Sequence, residues 1–208
     1  MYLAFDTETG SLSPKSGDLL TAYFAILDEN LNILEELDLK LKPNEGLPVA
    51  EAGALKVNGI NIQKHIEDPA TITYAEGRVR LVQLLKKYHK KTGRFNNLRA
   101  YGYNILGFDI GWVQEYLLPE EEWRNFLHYK AVDVMQEVDF LKRVGWFPAD
   151  LGTLSTVSDF LGLPKRSMHE ARNDVLTTIE VDKKVLELMK SKKEGGSAQD
   201  LIALLEAE

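Results

Sequence analysis

Residues 2–5, Tyr-Leu-Ala-Phe, are apolar on both faces, the pattern of a strand buried between two layers. This run leads directly into Asp6, Thr7, Glu8 and Thr9 before Gly10 ends it. Residues 19–28 and 33–42 predict two further strands, joined through Glu29-Asn30-Leu31-Asn32 as a hairpin. In the second of these, Leu37, Leu39 and Leu41 alternate with Asp38 and Lys40, which predicts one wet face. A short helix is expected over 48–55, and an amphipathic helix over 74–91 built on Ala75, Val79, Val82, Leu85 and Tyr88. Residues 98–102 predict a short strand and 107–118 a helix with Trp112, Val113, Tyr116 and Leu117 inward. Another strand is expected at 131–133, then helices at 134–143, 153–161 and 170–189; the last carries Thr178, Val181, Val185 and Leu188 on one stripe. Strands first, then alternating helices and strands, predict an α/β (α+β) domain with a mixed sheet layered by helices.

The polar residues that break this pattern carry the chemistry. On a strand of period two, Asp6 and Glu8 point the same way. Asp109 stands three, four, seven and eight residues before Trp112, Val113, Tyr116 and Leu117, so it shares their buried face. Asp174 continues the stripe of Thr178, Val181, Val185 and Leu188. His169 lies five residues earlier, too far round to share that face, and belongs to the helix start or the loop before it, where Gly162-Leu163-Pro164 favours a turn. Taken singly, these residues also read as solvated acids at a strand end, a first-turn acid favoured by the helix dipole, and a helix-end histidine. Taken together, four acids drawn to one core demand a partner. At an effective dielectric constant of about 20, two carboxylates about 4 Å apart repel by roughly 4 kcal/mol, so such a cluster calls for a divalent cation. Asp133 reads instead as a helix cap or strand-end acid.

The three segments resemble the three motifs of the DEDD family of 3′-to-5′ exonucleases, in the histidine-containing branch that includes ribonuclease T and proofreading subunits. Asp6 and Glu8 match its D-x-E; Asn104, Phe108 and Asp109 match N-x-x-x-F-D; His169 and Asp174 match H-x-x-x-x-D. The likeness covers roughly residues 1–190 and includes residues 54–60, similar to the segment that touches the terminal nucleotide in ribonuclease T. It implies a ribonuclease-H-like fold with a mixed five-stranded sheet flanked by helices, and two Mg²⁺ or Mn²⁺ ions. Asp6 would bridge both ions, Glu8 and Asp174 would complete the nucleophile-side site, Asp109 would hold the other ion, and His169 would take the proton of the attacking water. Thr7, Thr9, Leu12, Asn58, Ile60, Asn104 and Phe108 are the implied substrate contacts. The implied partner is a single-stranded 3′ end, DNA in preference, with nucleoside 5′-monophosphates released. RNA trimming, a polymerase-associated proofreading role and a homodimer partner stay open. The chain departs from the family pattern in having one threonine before Gly10, Asn58 where many proofreading subunits have histidine, and Tyr23 near a position where a glutamate is common. These departures fall at nucleotide contacts and leave the choice of sugar open.

With 208 residues the chain is long enough for one substantial core, and with no cysteine it excludes disulfides and Cys-ligated zinc. No apolar run approaches the roughly 20 residues of a membrane span, and early acids interrupt any secretory signal. The expected compartment is the cytoplasm, whether of a cell or of a host harbouring a virus or phage. A net charge of −7 does not suit a protein that coats duplex nucleic acid, although basic clusters stand at Lys86, Lys87, Lys90, Lys91 and Arg94, and at Lys165 and Arg166. The first cluster reads as surface solvation; the second, just before His169, as a phosphate contact. An exonuclease domain is expected over 1–190. Residues 191–208, with Lys192-Lys193-Glu194-Gly195-Gly196-Ser197, read as a flexible tail that closes in a short helix at 201–205.

Overall fold

The computed structural model describes residues 1–193. In chain order the elements are β1 (Tyr2–Thr9), β2 (Leu19–Leu27), β3 (Ile33–Lys42), α1 (Ala52–Asn58), α2 (Ile62–Glu67), β4 (Thr71–Thr73), α3 (Tyr74–Tyr88), β5 (Lys91–Thr92), β6 (Phe95–Asn96) and β7 (Arg99–Gly102). They continue with α4 (Asp109–Tyr116), α5 (Glu120–Phe126), β8 (Val132–Asp133), α6 (Val134–Arg143), α7 (Leu154–Phe160) and α8 (Ala171–Lys193). The main sheet runs β4-β3-β2-β1-β7-β8. β1, β2 and β3 are antiparallel neighbours, while β7 lies parallel to β1 and β8 parallel to β7. The sheet therefore has six strands rather than the expected five, because Thr71–Thr73 adds a short parallel rung outside β3. A separate two-stranded hairpin pairs β5 with β6.

The period-two pattern of β1 divides the core. Leu3 and Phe5 pack with Phe24, Leu39 and Leu41 under α3 and α4; Ala4 packs with Tyr23, Ala25 and Tyr101 under α6, α7 and α8. Asp6 and Glu8 continue the Ala4 side and so face α8, whereas Thr7 continues the Phe5 side and faces α4. This division is what brings acids from three elements to the carboxyl end of β1.

Two helices differ from expectation in instructive ways. α3 ends at Tyr88, and its inward face is Tyr74, Gly77, Leu81, Leu84 and Leu85, whereas Ala75 is exposed and Val79 is 55% exposed. The stripe was rotated because its centre is a glycine: a β-carbon on Gly77 would sit 2.6 Å from Leu41 Cδ2 and 3.2 Å from Leu117 Cδ2. Its missing side chain lets α3 approach the sheet. α8 runs through Lys193, past the expected domain limit at residue 190, since no glycine or proline interrupts the chain before Gly195. The rest of the expected tail, with its short helix at 201–205, lies outside the described residues.

Gly10 is held by its surroundings. Its N–H donates to Asp18 O at 2.7 Å and its carbonyl accepts from Glu51 N at 2.7 Å. A β-carbon there would fall 2.3 Å from Val49 O and 3.0 Å from Ala50 Cα, both backbone atoms. Gly10→Ala is therefore expected to cost about 1–3 kcal/mol, a fall of several degrees in melting temperature. Thermal denaturation checks this, and an unchanged melting point would mean that residues 49–51 are not clamped against β1.

Candidate active site

Asp6, Glu8 and Asp174 each place a carboxylate oxygen such that all three oxygens lie within 4.8 Å of one another. Glu8 and Asp174 are each only 9% exposed. One oxygen of Asp174, Oδ2, accepts from the His169 backbone N–H at 3.2 Å; the other, Oδ1, is buried and has no hydrogen-bond partner among the described residues. Burial, then the charges of Asp109, Asp174 and Glu8, pushes the Asp6 carboxyl well above the usual carboxylate range. Burial raises Glu8 to about 8, with Asp174, Asp109 and Glu170 adding repulsion. Asp174 is raised to about 6 by burial, opposed by its bond from His169. A buried oxygen without a donor, among hard oxygen donors that repel one another, is the arrangement a cation of the Mg²⁺ or Mn²⁺ class satisfies.

Asp109 approaches from the opposite face of the sheet. It is 3% exposed, and its Oδ1 accepts from Thr7 N at 3.0 Å and Thr7 Oγ1 at 2.6 Å. Burial lifts its carboxyl to about 7 against the lowering effect of these bonds. It is thus close enough to act on Asp6 and Glu8 but stands outside the three-oxygen cluster. The loop before it is shaped by Asp133, which caps α6 through Met135 N at 3.2 Å and accepts from Asn104 N at 2.8 Å and Leu106 N at 3.1 Å. Asp133 is a cap, as its sequence position suggests.

His169 lies in the loop before α8, exposed, with φ of 62° in the left-handed region. A non-glycine residue in that region is uncommon, and here the turn delivers both its backbone N–H to Asp174 and its ring to the cavity. Arg166 makes a forked ion pair with Glu180 of α8, at 2.5 and 2.6 Å, which fastens this loop. The expected phosphate contact is therefore not free at Arg166; Lys165 rests 3.6 Å from Asp159.

The acids and His169 line a cavity of about 570 Å³ together with Thr7, Thr9, Leu12, Asn58, Asn104 and Phe108. Asn58 donates to Thr9 O at 3.1 Å and accepts from Ile60 N at 3.0 Å, so its amide fixes the end of α1 to the end of β1. Ile60 lies just outside the residues that line the cavity, its backbone tied to Asn58 after the left-handed turn at Gly59. Ala54 and Val57, from the 54–60 segment expected at the nucleotide, form an apolar wall with Tyr103, Met135 and Leu154, which were not expected from sequence. Met135 and Leu154 stand in the opening turns of α6 and α7, a position that could have marked them. Tyr23 stands directly opposite Asp6 in the β1–β2 ladder, and its hydroxyl donates to Glu36.

No protein-family model matches the chain, and no curated protein matches it in sequence. Among solved structures, E. coli exonuclease I in complex with a dT13 oligonucleotide superposes with a TM-score of 0.67 at 23% identity, over 88% of this chain and 40% of that one. The fold is that of the part of exonuclease I it covers. The dA16 complex of the same enzyme gives a TM-score of 0.69 at 20% identity, covering 88% of this chain and 40% of that chain. A moderately thermophilic exonuclease I from Methylocaldum szegediense gives 0.65 at 22% identity, covering 88% and 39%. This chain spans about two-fifths of the length of those exonuclease I chains. The ribonuclease-H-like sheet expected from the three motifs is thus the observed one, with the extra rung at β4. The comparisons lend no support to a polymerase or homodimer partner. Among the described residues, no helix is long and apolar enough to cross a membrane.

Proposed function

We propose that this chain is a metal-dependent 3′-to-5′ exonuclease that acts on single-stranded ends, DNA in preference, and releases nucleoside 5′-monophosphates. The observation that carries this reading is the convergence of the Asp6, Glu8 and Asp174 oxygens, within 4.8 Å of one another, in a cavity that also presents His169. Solved structures with the same fold hold single-stranded oligonucleotides.

Asp6, Glu8 and Asp174 would hold a divalent cation, and Asp109 would support a second; such ions stabilise the charge that develops on a phosphodiester under attack. The chain supplies the rest. The His169 ring, at the cavity rim and outside the acid cluster, is placed to take a proton from the attacking water, a task suited to imidazole. Thr7 braces Asp109 through two hydrogen bonds, and Asn58 braces Thr9. Leu12, 88% exposed at the mouth, and the wall of Phe108, Met135 and Leu154 offer apolar surfaces to a base. Any base has a stacking face, so this wall favours an unpaired end over a particular sequence.

The test uses 5′-labelled single-stranded DNA and the matching RNA, each with Mg²⁺ or EDTA. The expected result is a Mg²⁺-dependent ladder that shortens from the 3′ end, faster on DNA. A faster RNA ladder transfers the reading to an exoribonuclease, since the 2′-hydroxyl is the group by which a protein tells the two apart. No digestion of either substrate removes it.

A further inference from the structure

Away from the acids, at the opposite end of β1 and β7, the surface changes sign. Arg99 at the start of β7 pairs with Tyr2, four residues before Asp6, so the two regions are separated by roughly 13 Å along a strand rising about 3.3 Å per residue. Beside Arg99 the β5–β6 hairpin and residues 128–130 bring three rings together. Phe95 and His128 lie 5.4 Å apart, Phe95 and Tyr129 5.7 Å, and His128 and Tyr129 stack at 4.5 Å. Tyr129 is 73% exposed and Phe95 39%. The Arg94 guanidinium lies 5.0 Å from the centre of the Phe95 ring, and the Lys130 ammonium 5.7 Å from that of Tyr129.

This cluster is anchored. Asn96 donates to the carbonyls of Arg124 and Leu127, each at 2.9 Å, and His128 N donates to Leu98 O at 2.7 Å. Asn97 ties Lys90 N at 2.6 Å to Tyr88 O at 3.1 Å. Although the chain carries a net charge of −7, it contains no acidic residue between Glu76 and Asp109. Lys90, Lys91, Arg94, Arg99 and Lys130 make no ion pair among the described residues. Partial burial, with the charges of Arg99 and Lys130, holds the His128 imidazole below its ordinary pKa, as expected of a ring in a positive field.

We infer that this aromatic and basic platform is a second contact for single-stranded nucleic acid, remote from the acid cluster. Exposed rings stack bases, and the unpaired cations beside them meet phosphates. An acidic protein would use the cations alone and leave the rings without a role. Residues 129–133 lead from the platform into β8, whose Asp133 organises the cavity rim, so one strand can run along this sheet edge. The inference rests on the exonuclease reading only for its link to turnover; the binding itself stands apart.

The experiment measures fluorescence anisotropy in EDTA, where no cleavage is expected, with 5′-labelled dT20, dT4 and a dT20 whose 5′ half is abasic. Wild-type protein is expected to bind dT20 more tightly than dT4 or the abasic strand. Tyr129→Ala and Phe95→Ala are expected to weaken dT20 binding by roughly 5- to 100-fold, the range for one lost stacking contact. Binding of dT4 and the melting temperature should not change for the exposed Tyr129→Ala. Equal binding of dT20 by wild type and both variants overturns the inference. So does equal binding of the abasic strand or of polyglutamate, either of which marks a charge-only surface. Platform-dependent binding without digestion removes the exonuclease reading and keeps the platform; digestion without any effect of Tyr129→Ala or Phe95→Ala on binding does the reverse.

Discussion

Asp6→Asn is expected to abolish digestion and, in metal-free protein, to raise the melting temperature. Asp6 stands where burial and three neighbouring carboxylates oppose its charge. A structural acid is held by donors and loses stability on neutralisation; Asp6 has repulsion to lose. Replacing one oxygen by an amide nitrogen keeps the shape, relieves that repulsion and removes a cation ligand. A bound cation contributes several kcal/mol to the transition state. At about 1.36 kcal/mol per tenfold, the rate should fall by on the order of 10³-fold. Asp174→Asn should behave alike, since its Oδ1 is buried without a hydrogen-bond partner among the described residues. His169→Ala is the contrast: general-base loss costs about 10²- to 10⁴-fold in rate, yet the thermal response to Mg²⁺ should survive, because His169 offers the cluster only a backbone N–H. Single-turnover digestion and thermal melting of the three variants are the measurements. An Asp6→Asn protein that digests at the wild-type rate, or that melts lower in EDTA, would place the chemistry elsewhere.

In EDTA, stability is expected to fall as pH rises from about 4 to about 8, and Mg²⁺ is expected to restore it. Glu8 is raised to about 8, Asp109 to about 7 and Asp174 to about 6, from ordinary values of 4.5, 3.8 and 3.8. Between those limits the folded protein binds more protons than the unfolded chain, so each rise in pH favours unfolding. The contribution is full below the unfolded values and lost through the folded ones. Glu137, raised to about 7 by burial and by Asp182, adds to the same slope further along α8 and is not among the residues that line the cavity. The difference between the EDTA and Mg²⁺ curves isolates the site. A ligand at about 100 times its dissociation constant adds about 2.7 kcal/mol, or roughly 5–10 °C for a chain of this size. That gain should grow with pH and vanish in Asp6→Asn. Superimposable curves at pH 8 with EDTA and with excess Mg²⁺ would remove the cation from the site.

Much of this architecture was legible in local pattern. The apolar run of residues 2–5 set β1 between two layers, and period two then placed Asp6 and Glu8 on one side. The stripe of Val181, Val185 and Leu188 set the buried face of α8 and carried Asp174 inward with it. α6 spans Val134–Arg143, the range expected from the sequence. Pattern failed where a residue's role depends on what stands opposite. Gly77 has no side chain to mark a face, yet Leu41 and Leu117 occupy the space beside it, which turns the α3 stripe away from Val79. Arg166 looked free for phosphate until α8 supplied Glu180. Tyr129 and Phe95 lie 34 residues apart and have no common periodicity. Hydrophobic spacing records which side of its own element a residue occupies, because 3.6- and 2-residue periods are properties of one segment's backbone. It says nothing of which element lies across the gap. The sequence alone therefore determined the longer elements, the inward faces of β1 and α8, and the acids those faces carry. Sheet order and chain packing decided that Thr7 holds Asp109, that His169 turns toward the acids, and that three rings share one surface, since those meetings depend on distances between segments far apart in the chain.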